Sequence, residues 1–169
     1  KKAKGDFLAF LDSDDLWNKN KLGLQYKFMK KNNYTFTYTS YQTFGIKINY
    51  VTPPQKFTFA KFIHNTTIAT SSMMISKKTA EGIKFTNTKI CEDYYYKCKI
   101  LKKNNYAFCL NKFLVKYRIR KDSLQSNSIR NAFWIWVINK KYNKLSFFEN
   151  LKSLFFISLN SLRKYGLSK

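Results

Sequence analysis

The sequence predicts an α/β fold, and three observations predict it. Phe7-Leu8-Ala9-Phe10-Leu11 is an unbroken apolar run, the pattern of a strand buried on both faces, as inside a parallel sheet. Residues 34–41 read Y-T-F-T-Y-T-S-Y, the two-residue period of a second strand. Between them, residues 19–31 carry Leu22, Tyr26 and Met29 at helical spacing, so strand, helix and strand follow one another. The first run ends in Asp12, Asp14 and Asp15. Carboxylates at the end of a buried strand sit where open α/β sheets bind ligands. Three of them so close call for a compensating cation, most simply a divalent metal with oxygen ligands.

The remaining elements follow in order. Asn18 or Asn20 caps the 19–31 helix, which puts Leu22, Tyr26 and Met29 inward and Lys21, Gln25 and Lys27 outward, and Asn32-Asn33 ends it. Gly45 marks a turn into a hairpin partner over 46–51, closed by Pro53-Pro54. A short helix is expected over 57–64, a strand over 69–76, and a helical turn over 77–81 stopped by Gly82. Glu92 and Asp93 open a helix to about Lys103, where carboxylates suit the helix dipole. Short strands follow over 106–110 and 113–117, then a polar, basic loop over 118–128. From Ile129 the texture becomes apolar and helical, with a second helix over 147–165. The expected division is therefore a catalytic-type domain over 1–128 and a helical extension over 129–169.

The chain has 169 residues, 44% of them apolar, and a formal net charge of +23. Such a charge attracts nucleic acid or anionic lipid headgroups. The lysines are scattered rather than blocked, and Lys, Asn, Ile, Phe and Tyr are all frequent, as an AT-rich genome produces. Nucleic acid is therefore not expected as a partner, and an anionic lipid surface is the better match. Cys91, Cys98 and Cys109 form no CxxC pair and have no neighbouring histidine, which argues against zinc and against a disulfide framework. No apolar run approaches the ~20 residues of a membrane span.

Three constellations carry chemistry. The first is the acidic edge at residues 12–15. As an EF-hand loop it fails, because Leu16 and Trp17 occupy ligand positions. A haloacid-dehalogenase phosphatase also places D-x-D after an apolar strand but wants Thr where Leu16 stands. A plain Asx-type turn is the structural alternative. The second is Cys91-Glu92-Asp93-Tyr94, which is either a helix cap or a general base aimed into a pocket. The third is Tyr117-Arg118-Ile119-Arg120-Lys121-Asp122-Ser123-Leu124. It is either a solvated basic loop or a cationic cradle for a diphosphate. The first two hold five of the nine acidic residues in the chain. His64, the lone histidine, reads as structural, and Trp134 and Trp136 as helix packing. A non-enzymatic basic module binding nucleic acid or membrane is the competing class.

The stretches KGDFLAFLDSDDLWNKNKL, ICEDYYYKCKIL and VKYRIRKDSLQSN, in this order, resemble family 2 glycosyltransferases of the bacterial cell-surface polysaccharide, teichuronic-acid-like type. The resemblance covers about residues 1–130. It implies a partial GT-A fold with a mixed sheet plus C-terminal helices, and inverting sugar transfer from a nucleotide-sugar donor to a lipid-linked or polysaccharide acceptor. Asp12-Ser13-Asp14 looks like the family's DXD motif. Asp12 would face the ribose or the metal, Asp14 would hold Mn²⁺ or Mg²⁺ against the diphosphate, and Asp15 would neighbour them. Asp93 looks like the catalytic base, with Glu92 beside it. Arg118 lies in the family's YR-x-H loop near the diphosphate. Arg120 stands where a His is usual, which suggests an ionic contact with phosphate in place of a metal ligand.

The family carries further strands and loops for the nucleotide base upstream of these motifs. The chain opens at Lys1-Lys2-Ala3 just before its first strand, the pattern of an N-terminal truncation. The piece alone is thus expected to bind nucleotide weakly, to lack turnover, and to expose an apolar edge on the first strand. Acceptor choice is expected in the variable region 42–68. The implied setting is cytoplasmic, peripheral at the inner face of the plasma membrane, with the helices after Ile129 docking on anionic lipid.

Overall fold

The computed structural model describes residues 3–120 and 127–165. Among the described residues there are seven strands: β1 (Phe7–Ala9), β2 (Leu16–Trp17), β3 (Phe36–Gly45), β4 (Tyr50–Val51), β5 (Lys56–Phe57), β6 (Met74–Ser76) and β7 (Ala107–Ile119). The helices are α1 (Lys21–Asn32), α2 (Phe59–Phe62), α3 (Lys77–Ala80), α4 (Glu92–Asn104), α5 (Ser128–Ile138) and α6 (Phe147–Tyr165). One 3₁₀ turn, Thr70–Ser72, precedes β6, and one π turn, Asn139–Asn143, follows α5.

The strands form one mixed sheet in the order β1-β6-β3-β7-β2, with β4 on β3 and β5 on β7. Its spine is the parallel pair β3 and β7, running from Thr37 opposite Phe108 to Gly45 opposite Ile119. The other pairings are antiparallel. Residues 10–15, which carry the acidic edge, connect one end strand of this order to the other.

β1 departs from the sequence expectation. It is not buried on both faces within a parallel sheet. It pairs antiparallel with β6 alone, Leu8 opposite Ile75, and stays half-buried. Its other edge has no partner strand among the described residues. β3 departs in the opposite sense. Its alternation does not separate a wet face from a dry one, since Phe36, Tyr38 and Tyr41 are buried and so are Thr37, Thr39 and Ser40. A central strand covered on both sides buries both sets. The two short strands expected over 106–117 are one, β7, whose pairing with β3 shifts register on either side of Ser40. Of the 46–51 segment only Tyr50 and Val51 pair. The segment over 69–76 is a strand only from Met74. Arg118 and Ile119 belong to β7 rather than to a loop, and residues 121–126 of the expected basic loop lie outside the described residues.

The inward face of α1 is reversed from the sequence reading. Met29 is buried as expected, but Lys21 and Gln25 are buried with it, while Leu22 and Tyr26 are exposed. The sheet surface beneath α1 explains this. It presents the Thr37 hydroxyl and the Ser72 carbonyl, and buried polar groups require partners. Gln25 Nε2 donates to both, at 3.1 and 3.0 Å, and its Oε1 accepts from Lys21 Nζ at 2.9 Å. The ammonium also lies 4.3 Å from the centre of the Trp17 ring. Asn20 takes the N-cap position without a side-chain cap bond, and Asn33 ends the helix in the left-handed conformation.

The main core lies where Phe36, Tyr38, Phe57 and Ile75 of the sheet meet Phe62 of α2, Tyr94, Cys98 and Leu101 of α4, and Ile135 and Ile138 of α5. Each such side chain contributes roughly 1.5–3 kcal/mol by leaving water. Cys98 and Cys109 are buried and Cys91 is half-buried, all as free thiols. His64 is packing, as expected, with its ring edge-on to Phe156 at 5.7 Å. Trp136 packs in the same manner on Phe147. A smaller cluster, Tyr41, Val51, Ala69 and Val115 with Trp17 and Tyr117, sits beside the acidic edge.

Gly45 ends β3 at φ +95°, and a Cβ there would stand 2.5 Å from the Ile119 carbonyl oxygen. Gly45→Ala is expected to destabilise the fold by about 2 kcal/mol or more, read by urea unfolding. Burial depresses the Lys21 ammonium to about 7. The unfolded chain therefore holds a proton that the folded chain lacks between that value and the ordinary lysine range, and stability rises with pH across this window. Between pH 7 and 9 the gain is expected to be up to about 2 kcal/mol in denaturant titrations, and absent in Lys21→Met.

Candidate active site

The sequence places residues 12–15 and residue 93 far apart, and one short turn joins them. Thr70–Ser72 forms because Ala69 enters in an extended conformation and its carbonyl accepts from the Ser72 N–H at 3.0 Å. Ser71 serves the acidic edge. Its Oγ accepts from the Asp12 N–H at 3.0 Å and donates to Asp15 Oδ2 at 2.6 Å, while its carbonyl accepts from Trp17 Nε1 at 2.7 Å. Thr70, the preceding residue, serves the other constellation by donating to Asp93 Oδ2 at 3.1 Å. Asp12 and Asp93 thereby come within electrostatic reach of each other.

Asp15 is buried, at 5% exposure. One of its oxygens faces Ser71 and the other accepts from the Arg118 backbone N–H at 2.8 Å. Asp15 N–H closes the turn onto the Asp12 carbonyl at 3.1 Å. Arg118 reinforces the same turn, since its Nε donates to the Asp14 carbonyl at 2.9 Å and its guanidinium lies 4.4 Å over the Phe44 ring. Asp14 is half-buried, and its Oδ2 lies 3.1 Å from Arg120 Nη2, on a side chain that is more than half exposed. β7 thus brings both arginines to the acidic edge from more than a hundred residues away.

Asp93 is the second residue of α4. Cys91 enters the helix at φ 61°, in the left-handed conformation, a strained state for a side-chain-bearing residue and one that collects at functional sites. Asp93 Oδ2 also accepts from Lys97 Nζ at 2.8 Å, one turn on, and the same ammonium reaches Thr70 Oγ1 at 3.1 Å. Burial pushes the Asp93 carboxyl up, but the Lys97 charge and hydrogen bond, with the Tyr94 N–H and Thr70, outweigh it, and the net direction is down. Asp93 therefore stays ionised. Glu92 points elsewhere. It is exposed and lines an open pocket of about 400 Å³ with Phe85, Thr86, Asn87, Thr88 and Lys89. Burial pushes the Cys91 thiol up to about 12, with help from Asp93 and Glu92, so it is no nucleophile.

The Asp12 carboxyl sits above the usual range. Partial burial is the largest cause, and Asp93 and Asp14 add to it against the pull of Lys97 and Ser71. Asp12 and Asp14 thus form a negative site, with Arg120 paired to Asp14 and Lys97 within electrostatic reach of Asp12. Among the described residues no three His, Cys, Asp or Glu side chains gather as a metal cage. Mg²⁺ and Mn²⁺ sites that use one or two carboxylates plus substrate phosphates need no such cage. The donor set of Asp12 and Asp14 fits that kind of ion.

Sequence reasoning located the acids and arginines but missed Thr70, Ser71 and Lys97. Lys97 carried a readable signal, four residues after Asp93 on a helix. Thr70 and Ser71 carried none beyond being hydroxyls in A-T-S-S.

Comparison with known proteins agrees with this architecture. TarS 1-349 of S. aureus, solved in complex with UDP-GlcNAc, superimposes with a TM-score of 0.63 at 16% identity, over 96% of this chain and 50% of that one. The fold is therefore of the GT-A class. The model for Glycosyl transferase family 2 matches residues 1–106, and the chain belongs to that family. TuaG of Bacillus subtilis (strain 168), a glycosyltransferase assigned to teichuronic acid biosynthesis, is 30% identical over 152 residues, 88% of this chain and 60% of TuaG. The Escherichia coli UDP-Glc:alpha-D-GlcNAc-diphosphoundecaprenol beta-1,3-glucosyltransferase WfgD is 34% identical over 139 residues, 80% of this chain and 54% of WfgD. The chain spans somewhat over half the length of these two relatives. Family membership sets aside the phosphatase.

Ser71→Ala removes one acceptor and one donor at the hinge of the acidic edge and leaves the buried Asp15 carboxylate short of a partner. The expected loss is about 1–3 kcal/mol of stability, measured by urea denaturation.

Proposed function

We propose that this chain carries the diphosphate-binding and proton-accepting parts of an inverting, metal-dependent glycosyltransferase. The enzyme moves a sugar from a nucleotide-sugar donor to a lipid-linked or polysaccharide acceptor in cell-envelope glycan synthesis. The observation that carries the reading is the Thr70-Ser71 bridge, which ties the Asp12 and Asp15 stretch to Asp93 through two adjacent hydroxyls. Names of relatives with UDP-linked donors support a uridine diphosphate sugar.

Each residue then has a task. Asp14 and Asp12 would hold Mn²⁺ or Mg²⁺, which would offset the charge that grows on the departing diphosphate. Arg120 releases Asp14 and turns its exposed guanidinium to the phosphate oxygens, as bidentate geometry favours. Arg118 and Asp15 act as positioning residues. Their mutual hydrogen bond and the Arg118 contact to the Asp14 carbonyl hold the edge in register with β7. Asp93, kept ionised by Lys97, takes the proton of the acceptor hydroxyl as its oxygen bonds to the anomeric carbon and the bond to the diphosphate breaks. One base suffices for direct displacement, so the anomeric configuration inverts. Glu92 lines the neighbouring pocket instead of the acidic edge.

UDP titrated into the chain by calorimetry, with and without Mn²⁺, tests this reading. Binding is expected to be weak and to need the metal. Asp14→Asn should weaken it by about tenfold or more, and Asp93→Asn should leave it unchanged. Protonating Asp12 competes with the cation, so metal-assisted affinity should fall as pH drops, and should begin to fall at a higher pH than an ordinary aspartate would cause. UDP binding that ignores both Mn²⁺ and Asp14→Asn would overturn the metal assignment.

A further inference from the structure

α6 turns polar residues inward, alongside Leu154 and Ile157, which pack on the core. Asn150 and Ser153 are 1% and 0% exposed. Asn150 Nδ2 donates to the Trp136 carbonyl at 3.0 Å, and Asn160 Nδ2 donates to the His64 carbonyl at 3.0 Å. Ser153 Oγ donates to the Ile63 carbonyl and accepts from Asn139 Nδ2. The opposite side carries Phe148, Leu151, Phe155, Leu159 and Leu162, all exposed, with Phe148 at 80% and Phe155 at 60%. Their spacing of three and four residues puts them on one helical face. A continuous exposed apolar stripe of this kind marks a contact surface.

Charge selects the occupant. Residues 127–169 contain one acid, Glu149, against eight lysines and arginines. Glu149 is engaged with Ser146 at the start of the helix. Lys144 and Lys152 are exposed beside the stripe. Two copies of a chain with a net charge of +23 repel each other, whereas an anionic headgroup layer attracts the same surface. No described helix is long and apolar enough to cross a membrane, so the helix would lie along the surface rather than through it. We propose that α6 is an in-plane anchor that docks on an anionic lipid bilayer through Phe148, Leu151, Phe155, Leu159 and Leu162. Its purpose rests on the transferase reading, because it would hold the site near a lipid-linked acceptor; the docking itself does not depend on that reading.

Co-sedimentation of the chain with phosphatidylcholine vesicles, with and without phosphatidylglycerol, is the test. Binding is expected with the anionic vesicles, to weaken with salt, and to be negligible with phosphatidylcholine alone. Phe148→Ser/Leu151→Ser/Phe155→Ser should reduce partitioning by about tenfold or more. Lys144→Gln/Lys152→Gln should reduce it by about fivefold for each lysine removed. All five positions are exposed, so circular-dichroism melts should match the parent, and the lysine variant decides the matter if the triple variant loses helix. No binding to anionic vesicles overturns the proposal. So does undiminished binding by both variants, or sedimentation equilibrium showing a dimer that the triple variant abolishes. UDP titration of the same variants separates the two readings: docking lost with UDP binding retained supports the anchor, and UDP failing to bind the parent chain counts against the transferase reading alone.

Discussion

The candidate site depends on the 3₁₀ turn at Thr70–Ser72. Two consecutive hydroxyl side chains reach in different directions, Ser71 to the acidic edge and Thr70 to the start of α4. The turn is itself anchored below, where the Ser72 carbonyl accepts from Gln25 of α1. Three segments distant in sequence are therefore held by one short piece of backbone. A hydrogen bond of this kind contributes only about 1 kcal/mol net, but leaving its buried partner unsatisfied costs more. That asymmetry makes the turn a positional constraint rather than one contact among many.

Electrostatics work around this constraint. The chain is strongly basic, yet five of its nine acids lie in residues 12–15 and 92–93, and the fold sends four of those five to one region. Each is treated differently. Asp15 accepts from Ser71 and the Arg118 N–H, yet burial still raises its carboxyl; Asp93 pairs with Lys97 and Asp14 with Arg120; Asp12, also raised, has no ion pair among the described residues. The carboxylate of the edge without an ion pair among the described residues is therefore Asp12, which lies within electrostatic reach of Lys97. Glu92 is turned out of this group because neighbouring residues at a helix start point in different directions.

Two helices defeat a simple reading of amphipathicity, for the same physical reason. α1 buries Lys21 and Gln25, and α6 buries Asn150 and Ser153, because the surfaces they cover expose backbone carbonyls and hydroxyls that need donors. Part of their apolar surface faces outward in consequence, while Met29 of α1 and Leu154 and Ile157 of α6 pack inward. On α1 this leaves Leu22 and Tyr26 separately exposed, with Tyr26 set edge-on to Phe7. On α6 it leaves a stripe along the whole helix.

By itself the sequence determined the α/β class, the order and approximate limits of most elements, the acids at residues 12, 14, 15 and 93, and the arginines at 118 and 120. These follow from local patterns: apolar runs, helix starts rich in carboxylates, and left-handed stops at Asn33 and Gly82. The family resemblance rested on the same local stretches and was legible for that reason. The tertiary structure alone decided that β3 is buried on both faces, that β7 is continuous, and which sides of α1 and α6 face inward. It also decided that Ser71 and Thr70 connect the two acidic groups. Those outcomes depend on which unsatisfied polar groups a segment meets after folding, and no periodicity within the segment encodes its partner's surface.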